Sequence, residues 1–184
     1  MNNVSLLVEI ANYIQRYLNE QNISCVIGRH KLLLDKKAVS ELLEKYSIDA
    51  LMTKFGDTLE VKKRTAYDFS LSLNKEKIYV NIKTQDLETS QLSEVTWISS
   101  KSVIERVLQN PKIASSLYYL KISYIIDSHG KIVVKSADVA GPLSKLKGHL
   151  ILYDKSQKTE IPYRIPTYYN GAHYFLHNDE FSKS

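Results

Sequence analysis

The segment from Tyr67 to Lys83 constrains this chain most. It holds two runs in which apolar and polar side chains alternate, Tyr67-Asp68-Phe69-Ser70-Leu71-Ser72-Leu73 and Ile78-Tyr79-Val80-Asn81-Ile82-Lys83, around the polar Asn74-Lys75-Glu76-Lys77. Alternation with period two marks a strand with one buried face, and two such runs about a short polar stretch predict a β-hairpin. The simplest register pairs Leu73 with Ile78, Leu71 with Val80 and Phe69 with Ile82, giving one wholly apolar face. The other face then sets Ser72 against Tyr79, Ser70 against Asn81 and Asp68 against Lys83. Opposed Cβ atoms lie ~5 Å apart and diagonal ones ~7–8 Å. Asp68, Asn81 and Lys83 are therefore expected within reach of one metal ion and one water. A half-solvated antiparallel hairpin also shows a polar outer face by default, and an Asp–Lys cross-strand pair is ordinary.

The flanking segments supply the rest of a fold. Leu6, Leu7, Ile10, Ala11, Ile14, Tyr17 and Leu18 have helical spacing over residues 4–20. Asp35 is a candidate N-cap for a helix from Lys36 to Tyr46 carrying Val39, Leu42 and Leu43. Three strand-like stretches follow, around 58–64, 66–73 and 78–85. Residues 99–109 read as a helix that Pro111 stops. Residues 117–126 read as a buried strand, and a turn at Asp127-Ser128-His129-Gly130 leads to another from Lys131 to Val139. A short strand is expected from His149 to Tyr153, and an irregular aromatic tail from Ile161. This order predicts an α/β (α+β) domain with a mixed central sheet flanked by helices. The 184 residues, 43% of them apolar, suffice for one core, and no repeat or long linker divides them. One domain over 1–184 is expected.

Composition removes several classes. The single cysteine, Cys25, excludes an intramolecular disulfide framework and a cysteine-based zinc site. His173 and His177 stand four apart in a strand-like stretch, where that spacing spans ~13 Å, too far to share a metal. The N-terminal segment is amphipathic, with no basic stretch followed by an apolar one, and no apolar run approaches the ~18 residues that cross a bilayer. A cytoplasmic protein without a membrane partner is expected. No G-x-x-x-x-G-K-[ST], G-x-G-x-x-G or G-x-S-x-G occurs, so no organic cofactor is expected. The net charge of +5 suits a protein that meets phosphate without requiring one.

Asp68, followed after a dozen residues by Asn81-x-Lys83 on the next strand, resembles the PD-(D/E)xK nuclease motif. The order helix, three-strand meander, helix, strand over about residues 36–126 is similar to that superfamily's restriction-endonuclease-like core. Val80-Asn81-Ile82-Lys83-Thr84, then a polar loop and Trp97-Ile98-Ser99-Ser100-Lys101, resembles certain type II restriction endonucleases in which Asn replaces the second acid. Residues 127–184 would then be a C-terminal β and loop elaboration. Tyr67 stands where the family has Pro, and Asn81 removes one negative charge from the metal site.

The resemblance implies an endonuclease that hydrolyses double-stranded DNA with Mg²⁺, for which Mn²⁺ can substitute, acting as a homodimer. It implies Asp68 as the anchoring metal ligand, the Asn81 side-chain oxygen and Ile82 carbonyl as further ligands, and Lys83 as the group that holds or activates water. A helix acid often joins such sites. Glu41 and Glu44 both fit, with Glu41 slightly preferred. Lys62, Lys63, Arg64, Gln85 and Lys101 are candidates for DNA contact. So are Arg164, Asn170 and His173, whose side chains can read base edges. The loop from Thr84 to Trp97 and the tail from Tyr163 to Tyr174 are the segments expected to carry base contacts. An inactive DNA-binding protein on the same fold, or a junction or repair nuclease, is the alternative that Asn81 leaves open.

Overall fold

In the computed structural model, the residues described are 3–27, 32–62, 66–73, 76–88, 94–153 and 172–181. Helix α1 (Asn3–Glu20) buries Leu7, Ile10, Ala11, Ile14 and Leu18 along one stripe. Strands β1 (Val26–Ile27) and β2 (Leu32–Leu33) form a small antiparallel pair. Helix α2 (Lys36–Phe55) is capped as expected, since the Asp35 side chain accepts a hydrogen bond from the Ala38 N–H at 2.7 Å. It continues well beyond Tyr46. Ser47, Ala50 and Leu51 extend the buried stripe, and the Ser47 hydroxyl, which reads as polar in sequence, donates to the Leu43 carbonyl one turn back.

A meander of β3 (Leu59–Val61), β4 (Phe69–Leu73) and β5 (Glu76–Asp86) follows. Then come β6 (Val95–Ser100), α3 (Lys101–Leu108), α4 (Pro111–Ala114), β7 (Leu117–Ile126), β8 (Ile132–Ala140), α5 (Leu143–Leu146), β9 (Leu150–Tyr153) and β10 (His173–His177). The central sheet has the order β3-β4-β5-β7-β8, with β5 and β7 parallel and the other pairs antiparallel. A second sheet has the order β6-β10-β9. The chain is thus a mixed α/β protein whose central mixed sheet is flanked by helices.

Three local expectations are corrected. The helix expected from Ser99 begins at Lys101, because Val95–Ser100 pairs with β10 as a strand. Pro111 opens α4 at its first turn, where a missing N–H costs nothing, and Asn110 caps it. The hairpin register differs by two residues: Phe69 faces Val80, Leu71 faces Ile78, and Leu73 faces Glu76. Strand β4 thus ends at Leu73 and β5 begins at Glu76. The register also brings Lys77 onto Glu60 of β3, which Lys62 pairs from the other side. A shift of two keeps every side chain on its face.

The two faces of the central sheet carry different cores. Alternate residues of β7 show this: Tyr118, Leu120, Ile122 and Tyr124 pack with α1, α2 and the apolar hairpin face, Phe69, Leu71, Ile78, Val80 and Ile82. Leu117 and Tyr119 pack on the other side with Ile98, Ile104, Val107 and Leu176 from β6, α3 and β10. The outer edge of β8 is covered by α1. The Asn19 amide both donates to the Val134 carbonyl (3.0 Å) and accepts from its N–H (2.9 Å), while Gln15 donates to the Lys135 carbonyl. Among the described residues no helix is long and apolar enough to cross a membrane.

Candidate active site

Where β4 begins, its backbone turns a side chain onto β5. The Asp68 N–H donates to the Val80 carbonyl at 2.9 Å, and the Asp68 Oδ2 accepts from the Ile82 N–H at 2.6 Å. The carboxylate therefore replaces the next rung of the β4–β5 ladder. In an antiparallel ladder the N–H and C=O of one residue leave on the same side. The Ile82 carbonyl thus faces the same gap, beyond the last ladder pair Phe69–Val80.

Asn81 and Lys83 stand on the opposite face of β5 from Val80 and Ile82. The Asn81 Nδ2 donates to the Ala66 carbonyl at 3.2 Å, which orients the amide. Its Oδ1 is buried and has no hydrogen-bond partner among the described residues. An unsatisfied buried acceptor costs roughly 1–3 kcal/mol, so its presence here calls for a donor or a cation. The Lys83 ammonium lies 4.4 Å from the centroid of the Trp97 ring, delivered by β6.

A second carboxylate, near enough to act on the Asp68 and Lys83 charges, comes from α2, which packs on the Val80 and Ile82 face of β5. The Ser40 hydroxyl accepts from Thr84 Oγ1 at 2.7 Å, which seats that side of α2 against β5. Glu44 follows Ser40 by one helical turn and so shares its face. Burial holds the Glu44 carboxyl above its usual range, the Asp68 charge adds to this, and Lys83 opposes it. Burial likewise raises Asp68, against the Ile82 N–H and Lys83. Burial lowers Lys83 to about 8, against the attraction of Asp68 and Glu44. The three charges act on one another, so they form one electrostatic unit. Glu41 faces elsewhere: its carboxylate is 58% exposed and pairs with Lys37 at 4.0 Å.

These residues fit a hard divalent cation. The Asp68 and Glu44 carboxylates, the unsatisfied Asn81 Oδ1 and the Ile82 carbonyl are all oxygen donors, which Mg²⁺ prefers. Among the described residues no group of three or more His, Cys, Asp and Glu side chains is placed to hold a metal ion, so the amide and carbonyl oxygens would have to complete the shell here.

No family model matches the chain. No curated protein matches it either. Among solved structures it is similar to one described as NlaIV restriction endonuclease, with a TM-score of 0.48 and 16% identity over 70% of this chain and 55% of that one. The chain thus spans about half the length of that structure.

The remaining candidates scatter. Gln85 lies on β5 on the Lys83 face, half-buried. Lys62 is exposed and paired with Glu60 at 2.6 Å. Lys101 opens α3 and pairs with Glu105 at 3.7 Å. His173 is 4% exposed, and its Nδ1 accepts from the Trp97 Nε1 at 3.3 Å, so it sits beneath Trp97 away from any surface that a base edge would meet. Lys63, Arg64, Arg164 and Asn170 lie outside the described residues. Of the loop Thr84 to Trp97, both ends belong to strands, Thr84–Asp86 to β5 and Val95–Trp97 to β6. Sequence reasoning missed Trp97 as the neighbour of Lys83 and ranked Glu41 above Glu44. The Lys37–Glu41 spacing of i, i+4 was a signal of a solvated face.

Proposed function

We propose that this protein is a Mg²⁺-dependent endonuclease acting on double-stranded DNA, of the type II restriction kind. The observation that carries the reading is the buried, unsatisfied Asn81 oxygen, with the Asp68 carboxylate bonded to the N–H of the next residue, Ile82, and the Lys83 ammonium on the same strand and face as Asn81. Two acids, one amide and one lysine gathered at the end of a hairpin suit phosphodiester hydrolysis better than acyl or hydride transfer.

Asp68 anchors the site, its carboxylate aimed by the Ile82 N–H. Asn81 Oδ1, the Ile82 carbonyl and Glu44 complete the protein's share of the ligands. A divalent cation bound there supplies Lewis acidity and positive charge toward the phosphate. Lys83 holds the attacking water and faces the charge that grows on the phosphate, and with its ammonium lowered to about 8 it exchanges a proton near neutral pH. Asn81 in place of an acid leaves the site one charge less negative, and Glu44 offsets that loss. Lys62, Gln85 and Lys101 are assigned to backbone phosphate. A symmetric cut of both strands requires two-fold symmetry, hence two copies of the chain.

Phage DNA incubated with Mg²⁺ and the protein is expected to give discrete fragments. Asp68→Ala and Lys83→Ala are expected to abolish them. Binding without cleavage in either Mg²⁺ or Mn²⁺ ends the enzyme reading in favour of a DNA-binding protein.

A further inference from the structure

The structure assigns Trp97, together with His173, the role of a brace that positions the Lys83 ammonium. The inference rests on the nuclease reading for its catalytic consequence, but not for its geometry. Three independent features converge on Trp97. First, the Lys83 Nζ lies 4.4 Å from its ring centroid, within the range in which the negative face of an indole attracts a cation. Second, the β6–β10 ladder slips at this point: Tyr174 faces Ser99 but Phe175 faces Trp97, so Ile98 is bulged out of the pairing. Such a bulge bends a strand and re-aims the side chain beside it, and bulges recur next to functional sites. Here Ile98 goes fully into the core while Trp97, 37% exposed, turns over Lys83. Third, the Trp97 Nε1 donates to His173 Nδ1 at 3.3 Å, and His173 is buried on β10. That bond fixes the plane of the ring.

The physical need for a brace is clear. A lysine ammonium on a four-carbon stem has about 2 kcal/mol of rotamer entropy, so holding it in one place needs a partner. Asp68 and Glu44 draw it toward the acids, where it would neutralise the ligand set. The indole face offers a competing hold with no charge of its own. Lys83 is thereby kept beside the acids and available to water and phosphate. Trp97 is a positioning residue, because it acts through Lys83.

Trp97→Phe keeps a ring face and loses the bond to His173, whereas Trp97→Leu loses both. On duplex DNA with Mg²⁺, Trp97→Leu is expected to lower kcat about ten-fold with KM nearly unchanged, and Trp97→Phe, which keeps the ring face without the His173 bond, to recover only part of it. Equal kcat losses in both variants, or an effect confined to KM, would overturn the brace. A second readout needs no activity. Trp97 is the only tryptophan in the chain, so its fluorescence in metal-free protein reports directly on Lys83. Lys83→Met, checked for an intact fold by circular dichroism, is expected to change Trp97 emission, and coincident spectra would refute the contact. If the wild type cuts no DNA but the emission changes, the nuclease reading fails while the brace stands.

Discussion

The Asp68 carboxylate is tied to the Ile82 amide by a 2.6 Å hydrogen bond that takes the place of a ladder rung between β4 and β5. A buried anion is thus held at the mouth of the hairpin, and burial raises its pKa despite that bond and the Lys83 charge. A raised carboxyl pKa means that the folded state holds the proton more tightly than the unfolded one. Its stabilising effect is complete below the ordinary Asp range and is lost as pH rises through the folded value. Asp68→Asn keeps the acceptor for Ile82 without the charge. It is expected to raise Tm at neutral pH in EDTA and to remove that loss with rising pH, while cleavage falls by more than the ~10–100-fold typical of an outer partner of a metal. A variant that is both stable and active would contradict the assignment.

Lys83 carries the opposite sign. Its ammonium titrates near 8 because burial disfavours the charge, against Asp68 and Glu44. Below that value the folded protein bears a cost of at most about 3 kcal/mol from this group. The cost fades as pH rises from about 8 toward the ordinary lysine value of 10.5, so wild-type stability should gain across that window. Lys83→Met should be more stable than wild type at pH 7 and should lack the gain. Urea titrations of both proteins from pH 7 to 10 decide it.

Glu44 and Glu41 make a matched pair. Glu44→Gln is expected to weaken Mn²⁺ binding about 10-fold or more, with a parallel loss of cleavage. Glu41→Gln, on the solvated face beside Lys37, should change neither. Calorimetric titration with Mn²⁺ gives the comparison, and equal effects would place the helix acid wrongly.

Asn19 tests the fold apart from the site. Its amide satisfies both backbone groups of Val134 at the edge of β8. Asn19→Ala leaves both unpaired under α1 and is expected to cost about 1–3 kcal/mol in denaturant unfolding, with cleavage per folded molecule unchanged.

The hairpin part of the candidate site was legible because it lies within one local segment. Asp68, Asn81 and Lys83 are close in sequence, and alternation assigns their faces. The expected register was wrong by two residues, yet it placed Phe69, Leu71, Val80 and Ile82 correctly, since a shift of two preserves parity. The extension of α2 beyond Tyr46 was not readable, because Ser47 looks polar until its hydroxyl is seen bonded to Leu43. Strand β6 was not readable either. Its pairing partner β10 lies more than seventy residues away, and no local pattern announces it.

What the amino-acid order determined by itself is a hairpin with one apolar face and a polar trio on or beside the other, together with α1, the start of α2 and strands β7 and β8. Those follow from period and capping, which are local. The tertiary structure alone decided that the Glu44 charge acts on Asp68 and Lys83, that burial lowers Lys83 to about 8, and that Trp97 lies over it. Each of those depends on how distant segments are seated: α2 on β5 through Ser40 and Thr84, and β6 on β10 through a bulge. Burial and charge proximity are properties of packing, and no spacing along the chain encodes them.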